Sequence, residues 1–120
     1  MEYDKRIPIY IQISDLIVSE ILNGYLKAGD PVISVRDASK KYQVNPNTIL
    51  NAYKELENRG LLYTKRGIGF FVTEEQGQLE ELKKYKFEKI VEDFLTTLYN
   101  MGYSNNDLTK TLIERGIINE

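Results

Sequence analysis

Apolar residues recur at helical spacing from Ile9 to Leu22, through Ile9, Ile13, Leu16, Ile17 and Ile21, with Gln12, Asp15, Ser19 and Glu20 between them. Pro8 suits a first helical turn and Gly24 a stop, so the pattern predicts a helix over about 8–23. A turn-rich passage (Gly24, Gly29, Asp30, Pro31) follows. Ser34 is then a good N-cap, with Asp37 placed to complement the exposed amides. It opens a short helix over about 35–42 that buries Val35, Ala38 and Tyr42. After a tight turn at Gln43-Val44, Asn45 caps and Pro46 begins a third helix reaching about Asn58. Its inner face is Ile49, Ala52, Tyr53 and Leu56, and Gly60 ends it. Two short helices separated by a few residues form a helix-turn-helix pattern.

The period then changes. Leu61-Leu62-Tyr63-Thr64 and Phe70-Phe71-Val72-Thr73 are short β-prone runs flanking Lys65-Arg66-Gly67-Ile68-Gly69. They predict a hairpin whose tip carries two cations and two glycines, and Val32-Ile33 supplies enough for a very short third strand. Beyond Glu74 a long amphipathic helix is expected over about 75–101. Leu79, Leu82, Phe87, Ile90, Val91, Phe94, Leu95, Leu98 and Met101 form its apolar stripe. Gly102 ends it. Ser104 or Asn105 caps a last helix of about a dozen residues carrying Leu108, Leu112 and Ile113 and closing before Gly116. The expected fold class is α+β: a winged helix-turn-helix over residues 1–73, then a helical segment over 74–120.

Composition narrows the chemistry. The 120 residues contain neither Cys nor His, which removes disulfides, thiol nucleophiles, a His base and His- or thiolate-ligated zinc. No acidic run has calcium-loop spacing and no Gly-rich run has the phosphate-loop pattern, so no metal, cofactor or catalysis is expected. Glu55 and Glu57, for example, point to different faces of a helix. No apolar run approaches the ~20 residues of a membrane span, and the charged start lacks a signal-peptide core, so no membrane role and a cytoplasmic location are expected. The net charge of −2 hides an asymmetry. Residues 1–73 hold ten Lys/Arg against eight Asp/Glu, net +2; residues 74–120 hold six against ten, net −4. Clustering on one face matters more for phosphate contact than the sum.

Helix, helix-turn-helix and basic hairpin, in that order, describe a winged helix whose third helix enters a major groove of double-stranded DNA. The wing would reach along the backbone or into the minor groove. Asn45, Asn47, Thr48 and Asn51 lie at the head and outer face of the third helix and can bond base edges or phosphates, as can the helix N-terminus itself. Lys54, one turn on, suits a phosphate, and Arg36 a phosphate or a guanine. In the wing, Lys65 and Arg66 are the charged tips, and Gly67 and Gly69 allow close backbone approach. Asn45 and Ser34 have a second use as helix caps, and Lys40 and Lys41 read more simply as a solvated face.

Residues 8–73 resemble the N-terminal domain of the GntR family of bacterial regulators. The segments that carry the resemblance are Pro8-Ile-Tyr-Ile-Gln-Ile, Gly24-Tyr-Leu-Lys-Ala-Gly-Asp30, Ser34-Val-Arg36, Val44-Asn-Pro-Asn-Thr-Ile49, Ala52-Tyr-Lys-Glu-Leu-Glu57, Gly60-Leu-Leu62 and Lys65-Arg-Gly-Ile-Gly-Phe-Phe-Val72. The Asn45-Pro46-Asn47-Thr48 form and the short C-terminal part resemble the YtrA subfamily in particular. The resemblance implies a dimer that reads a palindromic operator and represses its own operon, in that subfamily often one encoding ABC transporters. It places DNA contacts on Arg36, Asn47, Thr48 and the wing around Arg66 and Gly67. Two departures stand out. Val32-Ile33 replaces the family's frequent Leu-Pro, which implies a less rigid turn. Leu50 and Asn51 stand where many relatives have Arg or Lys, which moves recognition towards amide contacts with adenine.

The apolar stripe of the long helix exceeds what one short last helix can cover. A homodimer is therefore expected through Phe87, Ile90, Val91, Phe94, Leu95 and Leu98, matching two half-sites. Two helices give little room for a pocket within one subunit. Any small-molecule effector, which no residue identifies, would bind at the dimer interface. The rival from another class is a winged helix that docks a partner protein, which would show no salt-sensitive DNA binding.

Overall fold

The computed structural model describes residues 2–120. The elements run α1 (Ile9–Leu22), α2 (Val35–Tyr42), α3 (Pro46–Asn58), β1 (Leu62–Lys65), β2 (Gly69–Val72), α4 (Gln76–Asn100) and α5 (Asn105–Glu114). Two compact units are present, one ending at Glu80 and the other running Glu81–Glu120. The division falls inside α4. Gln78 and Leu79 explain the extent of the first unit: Leu79 is buried, and Gln78 Nε2 donates to the Arg59 carbonyl at the end of α3 (2.9 Å).

In the first unit α3 is the central element, packed against α1, α2 and β1. Its inner face is Ile49, Ala52, Tyr53 and Leu56, as the spacing predicts, and all four are buried. Helix α1 buries a broader face than expected: Ile13, Ile17 and Ile21 are joined by Val18 and Ser14, whereas Ile9 and Leu16 stay exposed. The stripe is set by the i, i+4 pairs 13/17/21 and 14/18, which carry Ile9 and Leu16 round to its edges. Ser14 is tolerated there because its hydroxyl donates to the Tyr10 carbonyl at 2.8 Å, with the Ala52 carbonyl 3.3 Å away across the helix contact. Pro8 is the cap residue of α1, not part of its first turn: its ψ of 137° is extended, and its carbonyl accepts from the amides of Ile11 and Gln12. In α2, Ala38 and Tyr42 are buried but Val35 only partly.

Strands β1 and β2 pair antiparallel, with Leu62 opposite Val72 and Lys65 opposite Gly69. The turn is therefore only Arg66-Gly67-Ile68, shorter than the five-residue tip the sequence suggests. No strand forms at Val32-Ile33; an isolated bridge joins Pro31 to Phe71 instead. Proline has no amide to offer a ladder, and by Ser34 the chain is already turning into the cap of α2. The segment is nonetheless pinned, contrary to the loosening expected from the missing Leu-Pro. The Val32 amide donates to the Phe70 carbonyl and the Val72 amide to the Asp30 carbonyl, both at 2.9 Å, and Tyr53 Oη donates to the Ile33 carbonyl at 2.7 Å.

The chain ahead of α1 is also tied down. Gln12 Oε1 accepts from the Asp4 amide (2.9 Å), while its Nε2 donates to the Asp4 carbonyl (2.7 Å) and the Ile7 carbonyl (2.8 Å). Tyr3 Oη donates to the Tyr42 carbonyl, the last of α2, at 2.7 Å.

In the second unit, α5 is ten residues long and begins in a capping box. Ser104 Oγ accepts from the Asp107 amide (3.2 Å), and Asp107 Oδ2 accepts from the Ser104 amide (2.8 Å). That reciprocal pair settles the cap on Ser104 over Asn105. The bond from the Ser104 amide holds the Asp107 carboxyl below the usual carboxylate range.

Tyr53 makes the fold's most informative single hydrogen bond. Replacing it with Phe keeps the ring and removes only the oxygen. The expected loss is about 1–2 kcal/mol of unfolding free energy, read from urea denaturation, because the Ile33 carbonyl is left without its partner. No loss would mean that the bond does not pin the approach to α2.

Candidate nucleic-acid interface

With its inner face buried, α3 leaves one stripe outward. Asn47, Asn51, Lys54 and Asn58 recur at i, i+4, i+7 and i+11 and are all exposed. Thr48 sits at the edge of that stripe, half-buried. Asn58 joins the residues expected from sequence, and its spacing from Lys54 and Asn51 is the signal that marks it. The stripe carries three carboxamides, one ammonium and no carboxylate. The acids of the helix are engaged elsewhere: Glu55 pairs with Arg59 (3.2 Å), and Glu57 accepts from the Thr64 hydroxyl in the wing. A surface of this kind can donate and accept at base edges while repelling no phosphate.

The head of α3 differs from expectation. Asn45 Oδ1 accepts from the Asn47 amide at 2.8 Å, and the Asn45 carbonyl accepts from Thr48 (2.9 Å) and Ile49 (3.4 Å). Pro46 has no amide to give. The N-terminal amides of α3 are therefore satisfied internally, and a phosphate there would have to displace the Asn45 cap. The oxygen of Asn45 is a cap, which leaves Nδ2 of this exposed residue as the group that can face a ligand. At the head of α2, Ser34 Oγ takes the Asp37 amide (3.1 Å), and the amides of Val35 and Arg36 have no hydrogen bond among the described residues.

The turn between α2 and α3 is built on strain. Gln43 has φ 56° and ψ 48°, the left-handed region, and is the one non-glycine residue with positive φ among the described residues. Two bonds brace it: Ser39 Oγ donates to the Val44 carbonyl (2.5 Å), and Tyr3 Oη to the carbonyl just before it. Pinning both sides of Gln43 fixes the angle at which α3 follows α2.

Of the ten cations in the first unit, seven (Lys5, Lys27, Arg36, Lys40, Lys54, Lys65 and Arg66) form no ion pair among the described residues. Lys41 is drawn to Glu20 (3.9 Å), and Arg6 is paired with Asp4 (3.0 Å). Lys65 is not at the tip. It lies within β1, and its ammonium sits 4.5 Å from the centroid of the Phe71 ring and 5.9 Å from that of Tyr63. Arg66 and Gly67 do form the apex, where Gly67 adopts the φ of 78° that suits a residue without a Cβ.

The model of the family described as bacterial regulatory proteins, gntR family, matches residues 9–72. The chain is 35% identical to the HTH-type transcriptional repressor YtrA of Bacillus subtilis, over 86% of this chain and 78% of that one. A solved GntR family transcriptional regulator from Listeria monocytogenes superposes with a TM-score of 0.85 at 35% identity, covering 93% of this chain and 98% of the other. AraR(DBD) in complex with operator ORX1 superposes with a TM-score of 0.55 at 30% identity, covering 56% of this chain and 81% of that one.

The two uses of Asn45 separate by substitution. Asn45→Ala is expected to cost about 1 kcal/mol of unfolding free energy, and Asn45→Ser to recover most of it, because serine caps nearly as well. Denaturation midpoints check this; equal stability of both variants and the wild type would remove the cap role.

Proposed function

The chain belongs to the GntR family of bacterial regulatory proteins, and from that premise we propose that it is a sequence-specific, double-stranded-DNA-binding transcription regulator. In this reading residues 1–73 are the DNA-binding domain and residues 74–120 the dimerisation segment. It acts as a dimeric repressor of its own operon, of the YtrA-like kind and with an ABC transporter as the expected gene product. The observation that carries the reading is the α3 stripe of Asn47, Asn51, Lys54 and Asn58, free of carboxylates and followed by a wing with an unpaired Arg66. Two names support it: YtrA is a transcriptional repressor, and AraR(DBD) was solved with an operator.

Roles follow from the chemistry. Asn47, Thr48 and Asn51 read base edges, with Asn51 suited to a bidentate contact with adenine. Arg36, Lys54 and Arg66 supply phosphate or groove contacts, and Gly67 lets the backbone come close. Asn45 acts first through its cap. Lys65 contributes charge from the flank of the wing.

Dimerisation is supported by the second unit, where Phe87 is 67% and Ile90 68% exposed, with Val91 and Phe94 also exposed and Leu95 and Leu98 half-buried. An uncovered apolar stripe of that size is what an interface between copies requires. The same unit forms an open groove of about 540 Å³ lined by Phe94, Leu98, Tyr103, Asp107, Leu108, Thr111, Leu112 and Arg115. Because Phe94 and Leu98 line it, the groove opens beside the expected dimer interface, which is where an effector is to be sought. No helix among the described residues is long and apolar enough to cross a membrane.

Selection of genomic fragments with the purified protein, followed by footprinting, tests the function. A two-fold-symmetric site is expected, with affinity falling tens-fold or more between ~50 and 200 mM salt. Arg36→Ala and Arg66→Ala should each weaken binding about tenfold at unchanged melting temperature, since both side chains are exposed. Recovery of no fragment, or salt-insensitive binding, would sink the DNA reading in favour of a partner-docking module.

Sedimentation tests the assembly separately. The expected mass is near twice 13.9 kDa, and Phe94→Glu should bring it down to the single-chain value. A wild-type monomer at all concentrations would rule the dimer out.

A further inference from the structure

The apex of the wing holds a side chain that neither the core nor the charge pattern explains. Ile68 is 74% exposed, more than any other large apolar side chain among the described residues. It closes the Arg66-Gly67-Ile68 turn through its amide, which donates to the Lys65 carbonyl at 2.9 Å, and its side chain is left to solvent. One exposed aliphatic residue is ordinary on a protein surface. Its company is what gives this one weight. Arg66, two residues before it, has no ion pair among the described residues, and Gly67 between them carries no side chain to keep a ligand away. Lys65, which could have made the tip wholly cationic, is held aside over Phe71. The apex therefore presents one guanidinium, bare backbone and one branched aliphatic group.

The minor groove of DNA accepts that combination. A narrow groove concentrates negative potential and draws in an arginine, and its walls and floor take an aliphatic wedge. We propose that Ile68 is the residue through which the wing prefers A·T to G·C pairs in the minor groove, an inference that rests on the DNA-binding reading above. The discrimination is chemical. A·T and T·A pairs show only acceptors there, whereas a G·C pair adds the guanine N2 amino donor. The sec-butyl side chain pressed over that amine strips its water and offers no acceptor in return, so the donor is left unsatisfied. Over the adenine edge the same group covers no donor. Arg66 brings the wing into the groove; Ile68 decides which groove it tolerates.

The test uses the full chain and a fragment recovered by genomic selection. A·T pairs flanking the protected half-sites are replaced one at a time by G·C, and separately by inosine·cytosine, which has the major-groove face of G·C but lacks the minor-groove amine. At the wing-facing pairs, G·C is expected to weaken binding about tenfold, and inosine·cytosine to restore most of the loss. Ile68→Ala, which removes no core contact, should bind A·T and G·C versions with nearly equal affinity. The proposal is overturned if inosine·cytosine binds as weakly as G·C, if no flanking pair matters, or if Ile68→Ala keeps the wild-type discrimination. A uniform loss across all sequences in Ile68→Ala would also overturn it, since the residue would then contribute contact without selection. Absence of any selected fragment is a different failure, that of the DNA reading itself.

Discussion

The hydroxyl of Tyr53 is the point from which the first unit is organised. The ring lies in the core, 1% exposed, and meets Phe70 of the wing edge-on at a centroid distance of 5.2 Å. Its oxygen bonds the Ile33 carbonyl, just ahead of the cap of α2. One side chain on the inner face of α3 thus fixes both the entry to α2 and the seat of β2. Burial pushes its phenol well above the usual tyrosine range, so it stays a neutral donor and the bond does not weaken under mild alkali. An outward face on α3 with a defined direction depends on this inward anchorage, because a helix that could roll by a few tens of degrees would present different residues to a groove.

The electrostatics of the unit follow from which charges are already spent on neighbours. Glu55 and Glu57 are tied to Arg59 and Thr64, Arg6 to Asp4, and Lys41 reaches for Glu20. Along the outward stripe of α3, what is left for a polyanion is the single ammonium of Lys54 among carboxamides. Such a surface attracts DNA weakly at long range and depends on short-range hydrogen-bond geometry. This is why the braced turn at Gln43 matters. A left-handed non-glycine residue costs about 1–2 kcal/mol, and the bonds from Ser39 and Tyr3 on either side of it hold the chain there. On the proposed reading, carboxamide recognition would tolerate less angular error than a lysine reaching for a phosphate, so rigidity of the turn would compensate for the shortage of charge along α3.

Most of the fold was legible because it is written in local signals. The 49/52/53/56 face, the Ser34 and Asn45 caps and the change of period after Gly60 each act within a few residues, and the elements they specify lie within a residue or two of expectation. Long-range choices were not legible. Nothing local says that Ser14 will be buried, since its burial depends on the Ala52 carbonyl across a helix contact. Nor does the sequence reveal that Pro31 bridges Phe71, that Gln12 clasps the residues before α1, or that Lys65 leans onto Phe71 instead of crowning the wing. The candidate site divides the same way. Asn47, Asn51 and Lys54 emerged at their observed positions from helical spacing alone, whereas the double duty of Asn45 and the internal satisfaction of the α3 amides required the geometry of the cap.

The charge-poor recognition surface and the uncovered stripe of the second unit explain one another on the proposed reading. A single first unit offers Arg36, Lys40, Lys54, Lys65 and Arg66 on its helix-turn-helix and wing, a limited number of phosphate contacts, and binding of that size is easily lost to salt. Joining two such units makes the second contact intramolecular, at an effective concentration set by the link. Affinity then rises steeply without any added charge on either copy. On that reading, a stripe that brought the copies together could be strongly apolar because it would not have to read anything. Its residues also need no cations, which is consistent with the acidic balance of residues 74–120. On the same reading, acidity there would serve selectivity as well, since like charge would keep the helical segment off the DNA. The winged helices are left as the part that engages it, and base contacts, not bulk attraction, set where the dimer rests.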